Sequence, residues 1–185
     1  VSSNWHPLTL LTYGAEYSLW GLSPFGYHLV NVLFHAVNAF LVFILGTTIF
    51  RLALKDSGPS SAAGTLAAAF IAALAFGIHP QHVESVSWVS ERKDVLSGFF
   101  FLLSLICYVR YAVKNNGRLL YWASFASFGL ALLSKPMAIT LPVVLLILDF
   151  YPLNNLSGVR DIKGRVLEKL PFILLIPVAA ALTIW

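Results

Sequence analysis

Leu119–Tyr151, LLYWASFASFGLALLSKPMAITLPVVLLILDFY, decides the fold. It forms either one long broken helix or two short membrane spans that meet at Ser134-Lys135-Pro136, and the flanking charges separate the two. A single span would place Arg160, Lys163, Arg165 and Lys169 across the membrane from Lys55 and Lys114. Two spans gather every cation-rich loop on one face, as the positive-inside rule favours, so we read two. Each has about 15 apolar residues, roughly 22 Å at 1.5 Å per residue, against a hydrocarbon core of roughly 30 Å. The Lys135 turn is therefore expected below the outer membrane surface, in a protein-lined cavity.

The rest of the chain has the same character. Hydrophobic residues make up 58% and charged residues 11%, where soluble domains carry about a quarter charged. The mean hydropathy is +0.80. Continuous apolar runs without period-two alternation speak against a β-barrel and point to an all-α, polytopic membrane helix bundle. The formal net charge of +4 encodes topology, not nucleic-acid binding, because the cations cluster in particular loops. Cys107, the single cysteine, has no partner for an internal disulfide.

About six spans are expected, plus an interfacial helix. Pro7–Trp20 is too short to cross, and Leu8, Leu11, Ala15 and Leu19 recur at helical spacing with Glu16 facing elsewhere, so this segment should lie at the interface. The turn Gly21-Leu22-Ser23-Pro24-Phe25-Gly26 ends it. Spans follow at about Tyr27–Phe50, Ala62–Ile78 and Val95–Val113, then the two short spans, then one beginning at Leu170. Residues 1–26 thus form an outer-loop segment and 27–185 the spans. Val1 would be outside, and Trp5, Trp20 and Trp88 would form an aromatic belt on that face. The chain starts at Val1 within polar loop and stops inside an apolar run, so a fragment with a further span upstream is expected.

The outer loop His79–Asp94, HPQHVESVSWVSERKD, places two imidazoles, three carboxylates and two cations between hydrocarbon stretches. Charge at a bilayer boundary needs solvent, a partner or a function. His79 and His82, three residues apart with Glu84 close by, have a spacing that a divalent metal can use on a helix, although such a set at a membrane surface is more often a solvated loop. Asp94 suits a helix N-terminus. Arg92, Lys93 and Lys135 on the outer face invite an anion. Ser134 is expected to cap a helix that starts at Pro136, whose free N–H groups would join Lys135 in holding a phosphate. The alternative pairs Lys135 with Glu84 or Glu91. On the first span His28, Asn31, His35 and Asn38 fall within roughly 80° at about 100° per residue, one polar stripe that should face the interior. Interhelical hydrogen bonds or a wet cavity would both account for it.

Asn4-Trp5-His6-Pro7-Leu8-Thr9, Gly21–His28 running into Asn31, His35 and Asn38, the whole of His79–Asp94, Ser134-Lys135-Pro136-Met137 and Leu148-Asp149-Phe150-Tyr151-Pro152-Leu153 together resemble the membrane domain of the transmembrane-and-tetratricopeptide-repeat proteins. That family in turn resembles protein O-mannosyltransferases of the GT-C class. The resemblance implies a GT-C-like membrane domain that takes a mannose-like hexose from a polyprenyl-phosphate donor and passes it to a protein or glycan acceptor. It implies a site facing the periplasm of a bacterial inner membrane, or the lumen of the endoplasmic reticulum. An acidic residue of the first outer loop would be the base, and Lys135, Arg92, Lys93 and Ser134 would hold the lipid phosphate. His6, His28, Asn31, His35, His79, His82, Glu84 and Glu91 would line the substrate cavity.

This chain departs from the pattern at the base. The family's acidic motif is expected upstream of Asn4, which leaves Glu16 and Glu84 as substitute candidates and implies an inactive fragment. The tetratricopeptide repeats, expected downstream, are missing, and no 34-residue repeat occurs. A second reading is a non-catalytic membrane anchor that presents such repeats. A transporter whose polar stripe lines a path would show internal symmetry between halves, and none is visible. The sequence names no cofactor, and a divalent metal stays open.

Overall fold

The computed structural model describes residues 6–54, 61–114, 117–154 and 159–184. These form helices joined by short turns: α1 (Pro7–Trp20), α2 (Pro24–Ala53), α3 (Ser61–Ile78), α4 (His82–Ser87), α5 (Arg92–Lys114), α6 (Arg118–Ser134), α7 (Leu141–Phe150), α8 (Val159–Glu168) and α9 (Leu170–Ile184). Two 3-10 turns, Val89–Glu91 and Pro136–Thr140, precede α5 and α7. No strand occurs among the described residues. The fold is an all-α membrane bundle. Pro24–Ala53 and Val89–Lys114 are long and apolar enough to cross a membrane, and Ala62–Ile78, Arg118–Ser134 and Pro136–Phe150 are shorter apolar helices.

The break at Lys135 holds. α6 ends at Ser134, Lys135 adopts extended backbone (φ −154°, ψ 126°), and Pro136 starts the 3-10 turn. Proline removes the N–H that a continuing helix needs and pushes the residue before it out of the helical region. Trp5, the 58–60 linker and Asn115-Asn116 lie outside the described residues.

Contacts between α2 and α5 run in parallel, from Asn31 with Arg92, through Phe34 with Phe99, to Leu52 beside Val113. α3 packs antiparallel against α2, with His35 against Gly77 near one end and Gly46 against Ala69 farther along. A methyl placed on Gly46 would sit 3.5 Å from the Ala69 methyl, the close approach that small residues permit between membrane helices. α5 and α6 form the second antiparallel pair. Ser104 donates to the Ser124 carbonyl at 2.8 Å and Ser97 to the Ala131 carbonyl at 3.2 Å, so the seam is stitched by small polar side chains. Around it lies the main core, with Tyr108, Val109, Phe128, Leu141, Leu145 and Phe172 all at or near zero exposure.

Three local expectations change. α1 turns its polar residue inward: Glu16 is buried while Leu11 and Leu19 are 69% and 71% exposed. In lipid the apolar side chains belong outside, and the bundle interior accepts the polar group that lipid rejects. The outer loop 79–94 is largely helical, and α5 begins at Arg92, three residues before the expected Val95. Residues 152–169, expected as a cation-rich loop, contain α8, and Lys169 is fully buried. Its ammonium pairs with Asp149 and donates to the Tyr108 hydroxyl. An unpaired buried charge would be strongly destabilising, so this cluster ties α5, α7 and α9 together at the end of the bundle away from Lys135.

Candidate functional site

A cavity of about 580 Å³ opens between α2, the α3–α5 connection and the Lys135 turn. Three elements supply its charged groups. α4 presents Glu84 and Ser85, the segment entering α5 presents Glu91 and Asp94, and the break after α6 presents Lys135. His35 and Asn38 form the floor on α2.

Lys135 Nζ lies 2.5 Å from Asp94 Oδ1, and the Ser85 hydroxyl donates to Asp94 Oδ2 at 3.2 Å. The two side chains of the pair are 25% and 26% exposed, so a ligand entering the cavity reaches both. The sequence alternatives for Lys135, Glu84 and Glu91, are not its partners. Glu91 pairs with Lys93 at 3.2 Å, and the Glu84 carboxylate has no hydrogen-bonding partner among the described residues. His6 sits close enough to feel this cluster. Burial holds its pKa below the usual imidazole value, Lys93 and Lys135 lower it further, and Glu91 and Asp94 oppose them. Its Nδ1 is buried without a hydrogen-bond partner.

The polar stripe on α2 divides. His28 is exposed and points away from the cavity lining. Asn31, His35 and Asn38 face inward, and each meets a backbone carbonyl of a neighbouring segment. Asn31 donates to Val86 and Trp88, His35 Nε2 lies 2.9 Å from the Gly77 oxygen, and Asn38 donates to Val95 at 2.8 Å. The stripe therefore fixes α3, α4 and α5 against α2, and His35 and Asn38 also present a polar cavity floor. Asn31 is removed from that floor because it is fully buried under Arg92.

Arg92 has a structural role in place of the expected phosphate contact. Its side chain has zero exposure, and its guanidinium donates to Asn31, both Glu16 oxygens and the Tyr27 carbonyl, with the Tyr13 ring 5.5 Å away. The bidentate fork suits arginine, and it welds α1 and α2 to the start of α5. Glu16 is committed to the same pair, which removes it as a substitute base. Ser134 is likewise buried, and its hydroxyl donates to the Leu130 carbonyl within α6. It closes α6 and caps nothing after Pro136.

His79 and His82 line a side cavity of about 280 Å³ with His35. Their ring centroids are 6.0 Å apart, and His79 Nδ1 accepts the Gln81 N–H at 3.2 Å. His82 lies 5.4 Å from His35 and 4.4 Å from Phe76. Its pKa is lowered by burial and then by the two neighbouring imidazoles. Among the described residues no three His, Cys, Asp or Glu side chains converge as metal ligands.

Comparison with known proteins follows the geometry. The chain is 32% identical over 158 residues to the protein O-mannosyl-transferase TMTC2 of Mus musculus, covering 83% of this chain and 17% of that protein. It is 33% identical over 171 residues to the protein O-mannosyl-transferase Tmtc3 of Drosophila melanogaster, covering 83% and 18%. With the protein O-mannosyl-transferase tmtc2 of Xenopus laevis it shares 34% over 170 residues, covering 90% and 19%. This is a TMTC-like chain. No family model and no solved structure matches it. The TMTC-like segment spans under a fifth of the length of these three relatives.

Asp94, read from the sequence as a helix-end acid, lines the cavity and pairs with Lys135. The signal was present. With α5 starting at Arg92, Asp94, Ser97, Gly98 and Phe101 fall at i, i+3, i+4 and i+7 on one helix face, and the same four residues line a second cavity, of about 230 Å³, beside Lys135.

Proposed function

We propose that the protein carrying this segment is a membrane glycosyltransferase of the GT-C type. It transfers a mannose-like hexose from a polyprenyl-phosphate donor to a hydroxyl of a protein or glycan acceptor. The observation that supports this most is the polar cavity with the Lys135–Asp94 pair at its edge, set in an apolar bundle. The activity for which the TMTC relatives are named agrees with it.

In this reading Lys135 leaves Asp94 when the donor arrives and neutralises the lipid phosphate, the group that departs with the bonding electrons of the anomeric C–O bond. A charge-assisted N–H···O contact in a site of low dielectric favours that departure. Lys93, held by Glu91 and acting with Lys135 on His6, adds a second positive charge nearby. Glu84, facing the cavity without a partner among the described residues, accepts hydrogen bonds from sugar or acceptor hydroxyls. It also serves as a local candidate to take the acceptor proton. His35 and Asn38 close the floor. The membrane is that of the endoplasmic reticulum or a bacterial cell, with the cavity on the lumenal or periplasmic side.

Transfer of labelled hexose by the full-length protein tests the reading. Lys135→Ala should lower transfer by about two orders of magnitude, the scale for removing one charge-stabilising donor, with expression and melting unchanged. Undiminished transfer in that variant rejects the phosphate role.

A further inference from the structure

At the end of the bundle away from Lys135 a different cleft opens between the C-terminal turns of α2 and α5. Its volume is about 190 Å³, and Thr48, Arg51, Leu52, Arg110, Val113 and Lys114 line it. From His35 in the polar cavity to Arg51 along α2 is roughly 24 Å at 1.5 Å per residue, so the two sites are separate.

Three cations from two helices converge here. Arg110 and Lys114 are four residues apart and share one face of α5, an arrangement of like charges that destabilises a helix. Arg51 faces them from α2 across the cleft. No carboxylate lines the space, and none of the three cations forms an ion pair among the described residues. The acids described at this end of the bundle are already engaged, Asp149 by Lys169 and Glu168 by Arg165 and Lys169. The Thr48 hydroxyl donates to the Ile44 carbonyl at 2.9 Å and so offers the cleft no free proton. The polar recognition left in the cleft is cationic, flanked by the apolar Leu52 and Val113.

We propose that this cleft binds the phosphate group of an anionic lipid. Two guanidinium planes and an ammonium match the oxygens of a phosphodiester, and Arg favours such planar bidentate contacts. A basic pocket between helices at the membrane boundary, with hydrocarbon-lined walls, suits a headgroup whose acyl chains run along α2 and α5. Snorkelling of long cationic side chains to bulk water would explain single cations at helix ends. It does not account for three that line one cleft with no acid beside them among the described residues.

The test uses the full-length protein, purified in detergent, and its Arg51→Gln/Arg110→Gln/Lys114→Gln variant. Thermal melting is followed with added phosphatidylglycerol, phosphatidylcholine or inorganic phosphate, and the apparent affinity for phosphatidylglycerol is read from the titration. The expected result is stabilisation by phosphatidylglycerol but not phosphatidylcholine, with affinity at least about tenfold weaker in the variant. A triple exchange of Arg for Lys and Lys for Arg, which keeps the charge, should retain most of it. Equal phosphatidylglycerol stabilisation of wild type and the Gln variant overturns the site. Protection by inorganic phosphate alone, with none from phosphatidylglycerol, overturns the lipid assignment.

Discussion

Lys135, on the break between α6 and α7, stands 2.5 Å from Asp94, in the first turn of α5, and both remain about a quarter exposed to the cavity between them. Forty-one residues of chain separate the two. The pair differs in kind from the fully buried Arg92–Glu16 and Lys169–Asp149 pairs, which serve the fold. Of these three, the Lys135 pair is the one that can exchange its partner for a ligand without opening the core.

Breaking the Arg92 weld should show the difference. Arg92→Met leaves Glu16 buried without its counter-charge, a loss of about 3–5 kcal/mol in the range seen for buried pairs. Lys135→Ala removes a partly exposed pair and should leave melting essentially unchanged, since such pairs contribute about 0–1 kcal/mol and often nothing measurable. Thermal or denaturant unfolding of the two variants in the same detergent compares them. Similar losses would place Arg92 in solvent.

Glu84→Gln should leave melting unchanged, because the carboxylate has no partner to lose among the described residues, and should lower hexose transfer by about tenfold or more if it takes the acceptor proton. Full activity in Glu84→Gln would assign the proton to an acid outside this segment.

His6 and His82 both have folded-state pKa values below the ordinary imidazole value of 6.5, burial being the first cause in each. The unfolded chain therefore takes up protons first as pH falls. The stability contributed by the neutral imidazoles is fully present above pH 6.5 and is lost as pH falls from there through the folded values. Melting measured from pH 8 to pH 5 should decline more steeply in wild type than in a His6→Asn/His82→Asn variant. Identical slopes would contradict this.

Gly26→Ala probes the junction of α1 and α2. A methyl there collides with the Trp20 ring, which packs over the first turn of α2, so the ring must leave. Overpacking of this kind costs about 1–3 kcal/mol. The expected signs are a lower melting point and altered tryptophan emission. At the neighbouring turn Gly21 takes φ 58°, a left-handed conformation that favours glycine.

The architecture was legible because its signals are local. Apolar runs set the helices, and Ser134-Lys135-Pro136 set the break. The polar stripe of α2 gave the phase of Asn31, His35 and Asn38 from spacing alone. Charge partners were not legible. Arg92 meets Glu16 across 76 residues of sequence, and a single chain carries no signal for that pairing. Adjacent Arg92 and Lys93 looked equivalent, yet successive helix positions point about 100° apart. Once α5 starts at Arg92, Arg92 shares the buried face of Val95 and Leu96, while Lys93 pairs with Glu91. The Ser134 cap failed for a similar reason: the hydroxyl had a nearer acceptor, the Leu130 carbonyl one turn back.

Binding of a labelled polyprenyl-phosphate hexose to the full-length protein, compared among wild type, Lys135→Arg and Lys135→Ala, tests the central claim most directly. The account predicts at least about tenfold weaker binding in Lys135→Ala, partial retention in Lys135→Arg and unchanged melting in both. Equal affinity in wild type and Lys135→Ala would contradict it and leave the Lys135–Asp94 pair as a structural contact.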